Sequence, residues 1–454
     1  MYGMRYSVRD PLKATGLVVL LGVIMTILDT TIMNVAVNSL ARDFHTTLAT
    51  MQWVITGYLL ALSMSIPVTG WAVGRFGTKA VWLTSLVLFA GGSALSATAW
   101  SVGALIAFRA VQGLGGGLLM PVGQAMIAQA AGQDRMGRGM AMISVPAMLA
   151  PVLGPLLGGV IVENLDWRWL FLVNLPVCVI ALLAAVKLLP GGRPSGGSRL
   201  DVLGLALLSP GLAALVFGLS EVGNGASLAH PALWGGLVLV AVFAVRAVRV
   251  PGGLLDLRLF GDRRFAAAVV ALICYSAALF GVTVLVPLYS QLAQGGDALD
   301  AGLLLAPMGV GAALTMPIAG KLTDRSGPRG VGAAGVVLAM LGVLGFVLFG
   351  GLVPMFVLGL GHGLVAPSVA AAAFKTLDRA AMPAASTLSN ISVRLASSFG
   401  VALLAVLLQV FTRAGVAEPF TYAFGCAIAL AAVSLVPIAL IGSSVWKESS
   451  SAPA

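Results

Sequence analysis

The sequence predicts an all-α polytopic membrane protein of fourteen transmembrane helices. Three observations carry this prediction: composition, the spacing of apolar runs, and the charges of the loops between them. Of 454 residues, 59% are hydrophobic and 9% are charged, and the mean hydropathy is +1.02. Soluble domains carry about 25% charged residues, because a water-facing surface has to be built from them. The shortfall excludes a soluble enzyme, a disordered chain and a secreted disulfide scaffold.

The apolar runs fall near residues 15–40, 51–73, 80–100, 102–130, 139–162, 169–189, 202–222, 232–250, 265–290, 301–319, 330–350, 353–374, 384–411 and 420–443. A membrane helix uses roughly 20 residues, so fourteen take about 280 and leave about 11 for each loop or tail. No folded soluble domain fits in that remainder. The basic start (Arg5, Arg9, Lys13) precedes a run too long for a signal peptide. No small-residue cleavage site follows it, so the first run is an uncleaved helix. Cys178, Cys274 and Cys426 lie singly in apolar runs and imply neither a disulfide framework nor a metal cluster.

Loop charge orients the runs, because Lys and Arg concentrate in cytoplasmic loops. With the N-terminus inside, only Arg42, Arg168 and Arg413 of the 26 basic residues fall outside, and Arg109 and Arg394 fall within runs. A wrong number of spans would reverse the later loops and destroy this bias. Both termini are expected on the cytoplasmic side of a bacterial plasma membrane. The net charge of +10 follows from the same bias. Anionic lipid headgroups are its natural counter-charge, and no nucleic acid is called for.

Two blocks recur in order. GWAVGRFGTK (70–79) returns as GKLTDRSGPR (320–329), and GLGGGLLMP (113–121) returns as GLGHGLVAP (359–367). Two repeated halves holding substrate near the midplane between them is a common transporter plan. The expected division is an N-terminal six-helix half (1–190), a linker with an inserted pair of helices (191–252), a C-terminal six-helix half (253–445) and a tail (446–454).

Further motifs are LDTTIMNVAV (28–37), QWVITGYLLAL (52–62), RAVQGLGGG (109–117), APVLGPLLGG (150–159) and WRWLFLVNLP (167–176). Together with the repeated blocks they resemble the major facilitator superfamily, specifically its fourteen-helix drug:proton antiporter branch. The resemblance implies the major-facilitator fold and proton-coupled export of lipophilic, mainly cationic drugs by alternating access. It further implies that Arg109 and Gln112 support proton coupling.

Asp29 is the one carboxylate deep within a run; the other acids sit in loops, tails or helix ends. An intramembrane acid is expensive and marks function by default. Burial favours the neutral form of a carboxylic acid and a nearby arginine favours the ionised form. An acid so placed can load and release a proton, and a lipophilic cation can compete for its charge. The alternative is a structural Asp bonded to Thr30, Thr31 or Asn34. Arg109 cannot be deprotonated in practice and needs a partner, for which Asp29 is the candidate. That contact is either a switch or a static pair that fixes helix packing.

In APVLGPLLGG, Ala150, Gly154 and Gly158 share a helix face on which small residues permit close approach, and Pro155 removes a backbone bond. The family associates this motif, with Gly159, with antiporters; Ala150 stands where glycine is usual. In the loop after the second span the family places an acid, a base and glycines that gate the cytoplasmic side. Here Gly70, Arg75, Gly77 and Lys79 are present, but Gly74 occupies the acidic position. The second repeat keeps Gly320, Asp324, Arg325 and Gly327, so the intact gate contact is expected there.

The remaining candidates would line a substrate cavity. Met25, Met33 and Met148 suit an adaptable apolar pocket, and Asn34, Trp53, Tyr58 and Tyr275 add polar or aromatic contacts. His362 replaces the first repeat's Gly116, Asn390 and Arg394 share a face of the thirteenth span, and Glu221 ends the seventh. No P-loop lysine, H-x-x-x-H pair or Ser/His/Asp cluster is present. The expectation is a secondary transporter, not an enzyme, that uses a proton gradient with no cofactor or metal and works as a monomer. Rival readings are a dedicated exporter of one endogenous metabolite or self-made antibiotic, a nutrient importer, and a non-transporting sensor.

Overall fold

The computed structural model describes residues 10–190, 200–223, 225–249, 255, 257–295, 298–378 and 380–441. The expected linker over 191–199 and tail over 446–454 lie outside these residues. The described chain is helical throughout its length, in the order read from the sequence. The first half runs α1 (Pro11–Asp43), α2 (Leu48–Ser65), α3 (Thr69–Phe76), α4 (Thr78–Ala97), α5 (Val102–Ala131), α6 (Met136–Asn164), α7 (Trp169–Leu172) and α8 (Asn174–Leu188). Next come α9 (Val202–Gly223) and α10 (Pro231–Arg249). The second half runs α11 (Arg263–Ala293), α12 (Ala298–Ser326), α13 (Pro328–Phe349), α14 (Leu352–Lys375), α15 (Met382–Arg413), α16 (Pro419–Val433) and α17 (Leu435–Leu440).

Among the described residues, thirteen helical segments are long and apolar enough to cross a membrane. The 29-residue α6 stands at the fifth expected position, which makes fourteen. Three spans are broken. A 3-10 turn, Ile66–Val68, with Pro67 in it joins α2 to α3. Short interruptions at Val173 and Ser434 separate α7 from α8 and α16 from α17.

Side-chain caps decide where several helices start. Asp10 accepts from the Leu12 amide ahead of Pro11, Thr47 from that of Thr50, and Ser101 from that of Ala104. Asp262 accepts from Arg264 and Phe265. Each satisfies a first-turn N–H that has no partner within its helix. The repeat shows itself in the turns as well. Gly77 between α3 and α4 has φ 84°, and Gly327 between α12 and α13 has φ 88°. Only glycine adopts this conformation without steric cost, which explains why both repeated blocks hold it.

Packing repeats with the sequence. In the first half α4 and α2 pack on α5, and α1 packs on α6; in the second, α13 and α12 pack on α14, and α11 packs on α15. Gly113 and Gly117 of α5 lie against backbone of α2, and Gly115 against α4. Their counterparts Gly359, Gly363 and Gly361 lie against α12 and α13. A β-carbon at any of these sites would meet a neighbouring helix, so the repeated glycines let a central helix thread between two others.

The halves meet where α6 packs on α12 and α14, and where α15 packs on α3 and α5. The inserted helices α9 and α10 pack on each other, and α9 also packs on α2 and α15. They thus straddle one seam. Ser209 of α9 donates to the Met64 carbonyl at 2.7 Å. α10 keeps Trp234, Val238, Val242, Val245 and Val248 exposed, as a lipid-facing helix should.

Candidate functional site

Asp29 on α1 and Arg109 on α5 meet inside the N-terminal half. Arg109 Nη1 donates to Asp29 Oδ2 at 2.6 Å and to Gln112 Oε1 at 2.8 Å. Asp29 Oδ1 accepts from Gln112 Nε2 and from Asn174 Nδ2, both at 2.9 Å. Asn174, at the start of α8, also donates to Ser93 Oγ on α4 at 3.1 Å, and Ser93 donates to the Phe171 carbonyl at 2.9 Å. Four of the half's six spans therefore contribute side chains to one network.

The network is enclosed: Asp29 is 1% exposed, and Arg109 and Gln112 are 0% exposed. Arg109 Nε and Nη2 make no hydrogen bond. The guanidinium lies instead 4.1 Å from the Tyr58 ring centroid and 5.8 Å from that of Phe171, and such faces offer a cation partial compensation. A buried ion pair is weak evidence for stability, because desolvation offsets its attraction, whereas removing one partner strands a charge. The geometry ties the Arg109 charge to Asp29, with Gln112 and Asn174 completing the carboxylate's hydrogen bonds.

This enclosure corrects one expectation. Both Asp29 oxygens are occupied by protein donors and the side chain is out of solvent, so a lipophilic cation does not meet it in this conformation. Met25 and Met33 are corrected likewise. Met25 is 2% exposed with its sulfur 3.1 Å from Cys178 Sγ, and Met33 is 1% exposed in a separate apolar cluster. Both are packed core. Tyr58, also 0% exposed, is the platform under Arg109 rather than open cavity wall. Trp53 packs on Phe217 of α9, ring centroids 5.7 Å apart, and so faces the inserted pair.

In the C-terminal half, Tyr275 and His362 stack at 5.8 Å with their planes 5° apart, both buried. Asn390 and Arg394 lie between the halves. Asn390 Nδ2 donates to Gln124 Oε1 of α5 at 2.7 Å, and Arg394 Nε donates to Ser63 Oγ of α2 at 3.2 Å. One turn before Asn390, Ser386 donates to the Pro121 carbonyl at 2.5 Å. Glu221 is half-buried near the end of α9. The side chains of Asn34, Met148, Ala150 and Pro155 lie outside the described residues.

The gate residues separate into two kinds. Asp324, near the end of α12, reaches the first turn of α6: it accepts from the Gly137 amide at 2.7 Å, from the Arg138 amide at 3.3 Å and from Arg138 Nε at 2.8 Å. Its partner is thus Arg138 of the other half, not the adjacent Arg325, which is exposed. Gly320 lies close against Gly137 and Arg138 in the same contact, and Gly70 against Ala384 of α15. Lys79 does not cross between halves. Its Nζ donates to the Val186 and Leu189 carbonyls, both at 2.8 Å, and so caps α8 within the N-terminal half. Arg75 is exposed.

In the motif over 150–159, a β-carbon on Gly154 would strike Thr31, and one on Gly158 would lie 3.1 Å from the Ile32 carbonyl oxygen. The motif therefore sets the spacing of α6 from α1 just beyond Asp29, while Gly159 faces open space. Asn174 and Ser93 escaped sequence reasoning. The available signal was an asparagine within WRWLFLVNLP at the head of an apolar run, where an amide is costly unless bonded.

Comparison with known proteins bears on this arrangement. The multidrug resistance protein B homolog of Mycobacterium tuberculosis (strain ATCC 25618 / H37Rv) is 39% identical over 413 residues, which cover 87% of this chain and 76% of that protein. Among solved structures, the human organic anion transporter MFSD10 (TETRAN) superposes with a TM-score of 0.64 at 19% identity, covering 95% of this chain and 100% of that one. The proton:xylose symporter XylE superposes with a TM-score of 0.60 at 15% identity, covering 94% of each chain. The two structural likenesses speak for the fold. The family model of the Major Facilitator Superfamily matches residues 19–401, and the chain belongs to that superfamily.

Proposed function

We propose that this membrane transporter is a proton-coupled exporter of lipophilic small molecules, moving them out of the cytoplasm or inner leaflet of a bacterial plasma membrane by alternating access. The observation that carries the reading is the enclosed Asp29–Arg109–Gln112–Asn174 network. A cheaper apolar core would serve packing as well, so an ionisable pair held there is best explained by a charge that has to change. The named activity of the multidrug resistance relative and the antiporter motif packed beside Asp29 support export over import.

In this cycle two six-helix units, 1–190 and 253–445, rock about the seam between them. Contacts such as Asp324 with α6 hold shut the end of the bundle that carries the basic loops. A proton reaching Asp29 frees Arg109, and the loosened α1–α5 contact favours the alternative arrangement. Loss of the proton restores the pair. The proton acts through helix packing rather than by sharing a pocket with cargo, and the sequence-based preference for cations is not retained. The test is efflux by Asp29→Asn in vesicles under an imposed pH gradient. The variant should bind dye and fail to transport it uphill; undiminished gradient-driven efflux by a well-expressed variant refutes the coupling role.

A further inference from the structure

We infer that Arg394 anchors the cargo and that the cargo is a lipophilic organic anion, an apolar body bearing one carboxylate, sulfonate or phenolate. This deepens the export reading and rests on it for the direction of movement only.

Arg394 stands near the middle of α15 (Met382–Arg413), and its contact Ser63 is the midpoint of the span Thr50–Phe76. The two helices belong to opposite halves, so the contact lies at mid-membrane on their interface, where two-repeat transporters hold substrate. Only Nε is used, in the bond to Ser63. Among the described residues Nη1 and Nη2 have no hydrogen-bond partner, and no carboxylate lies within ion-pair distance of this guanidinium. Arg109 supplies the contrast, being fully enclosed and matched by its own acid. An arginine does not shed its charge, and one left unpaired within the membrane marks a ligand path. The free edge of the guanidinium fits a carboxylate or sulfonate in two parallel hydrogen bonds.

The surroundings point the same way. Asn390, one turn earlier on the same face, is spent on Gln124 and on the Ser386 carbonyl, so it fixes α15 rather than balancing charge. Apart from the enclosed Asp29, the acids of the described residues stand at helix ends or in loops. Among the described residues, the interface between the halves at this depth therefore holds one positive charge with no carboxylate beside it.

The test uses two dyes with the same xanthene body, anionic fluorescein and cationic rhodamine 123. Binding to the purified full-length protein in detergent is read by fluorescence anisotropy with no pH gradient. Wild type should bind fluorescein the more tightly. Arg394→Gln should weaken fluorescein binding about tenfold or more without weakening rhodamine, and Arg394→Lys should keep most of it. A measurement on wild type alone guards against a misfolded variant: naphthalene-1-sulfonate should displace bound fluorescein, and 1-naphthylmethylammonium should not. Rhodamine preference in wild type, displacement by the ammonium, or equal loss of both dyes in a variant that unfolds like wild type overturns the assignment. Anion binding that survives alongside absent proton-driven transport would sink the export reading and leave this one standing.

Discussion

Arg109 Nη1 lies 2.6 Å from Asp29 Oδ2 with neither side chain reaching solvent, so the two charges are buried as a pair. Removing one partner of such a pair costs about 3–5 kcal/mol, since it strands the survivor. Asp29→Asn and Arg109→Gln should each lower the thermal unfolding temperature in detergent clearly. The double variant should be more stable than the sum of the two losses, by about 1–3 kcal/mol of coupling. Additive losses would mean the pair is not the unit drawn here.

Asn174 donates its amide N–H to Asp29 Oδ1 at 2.9 Å, which ties the head of α8 to the buried pair. A hydrogen bond to a charged group is worth about 1.5–3 kcal/mol. Asn174→Ala should therefore lower stability by about that amount and depress gradient-driven efflux. Ser93→Ala, one bond further out, should cost less on both counts. Efflux that stays at the wild-type level in a destabilised Asn174→Ala protein would make Asn174 a packing residue.

Much of this site was legible in the sequence, and what was not has a physical reason. Asp29 and Arg109 stood out because charge is rare in apolar runs, and their meeting required only that α1 and α5 be neighbours. Asn174 did not stand out, since an amide breaks no charge rule and its value depends on which atom it faces. The glycine blocks gave the repeat, and the structure gives their reason in α5 and α14 threading between neighbours. Which methionines line a cavity was not legible: a side chain such as Met25 suits a pocket or a core equally, and only packing against Cys178 decides.

The Asp324 clamp has no counterpart in the first repeat, where Gly74 stands at the equivalent position. A carboxylate at a helix N-terminus is worth about 1 kcal/mol, and the half-exposed Arg138 adds little to that. Asp324→Asn should therefore raise the population open at this end about fivefold. A cysteine replacing Ala141, whose β-carbon lies against Gly320, reports this opening through its labelling rate with a water-soluble maleimide. Gly74→Asp should act oppositely, adding a second clamp towards α15 and slowing both labelling and turnover. Unchanged labelling in Asp324→Asn would show that helix packing alone closes the seam.

Gly154 and Gly159 belong to one motif but stand in different surroundings, which separates its packing role from any other. Thr31, against which Gly154 lies, is fixed on α1 by its hydroxyl bonds to the Ile27 and Leu28 carbonyls, both at 3.0 Å. It has little freedom to yield to a larger neighbour. Gly154→Val must push α6 away from α1 two residues beyond Asp29, at a cost of about 1–3 kcal/mol, and should depress proton-driven efflux more than dye binding. Gly159→Ala meets nothing within 4 Å and should be neutral or stabilise the helix by up to about 1 kcal/mol. Thermal unfolding and efflux measured in parallel distinguish the two variants. Equal effects would detach the motif from the α1–α6 contact, whereas a selective loss in Gly154→Val ties the antiporter signature to the position of the buried acid.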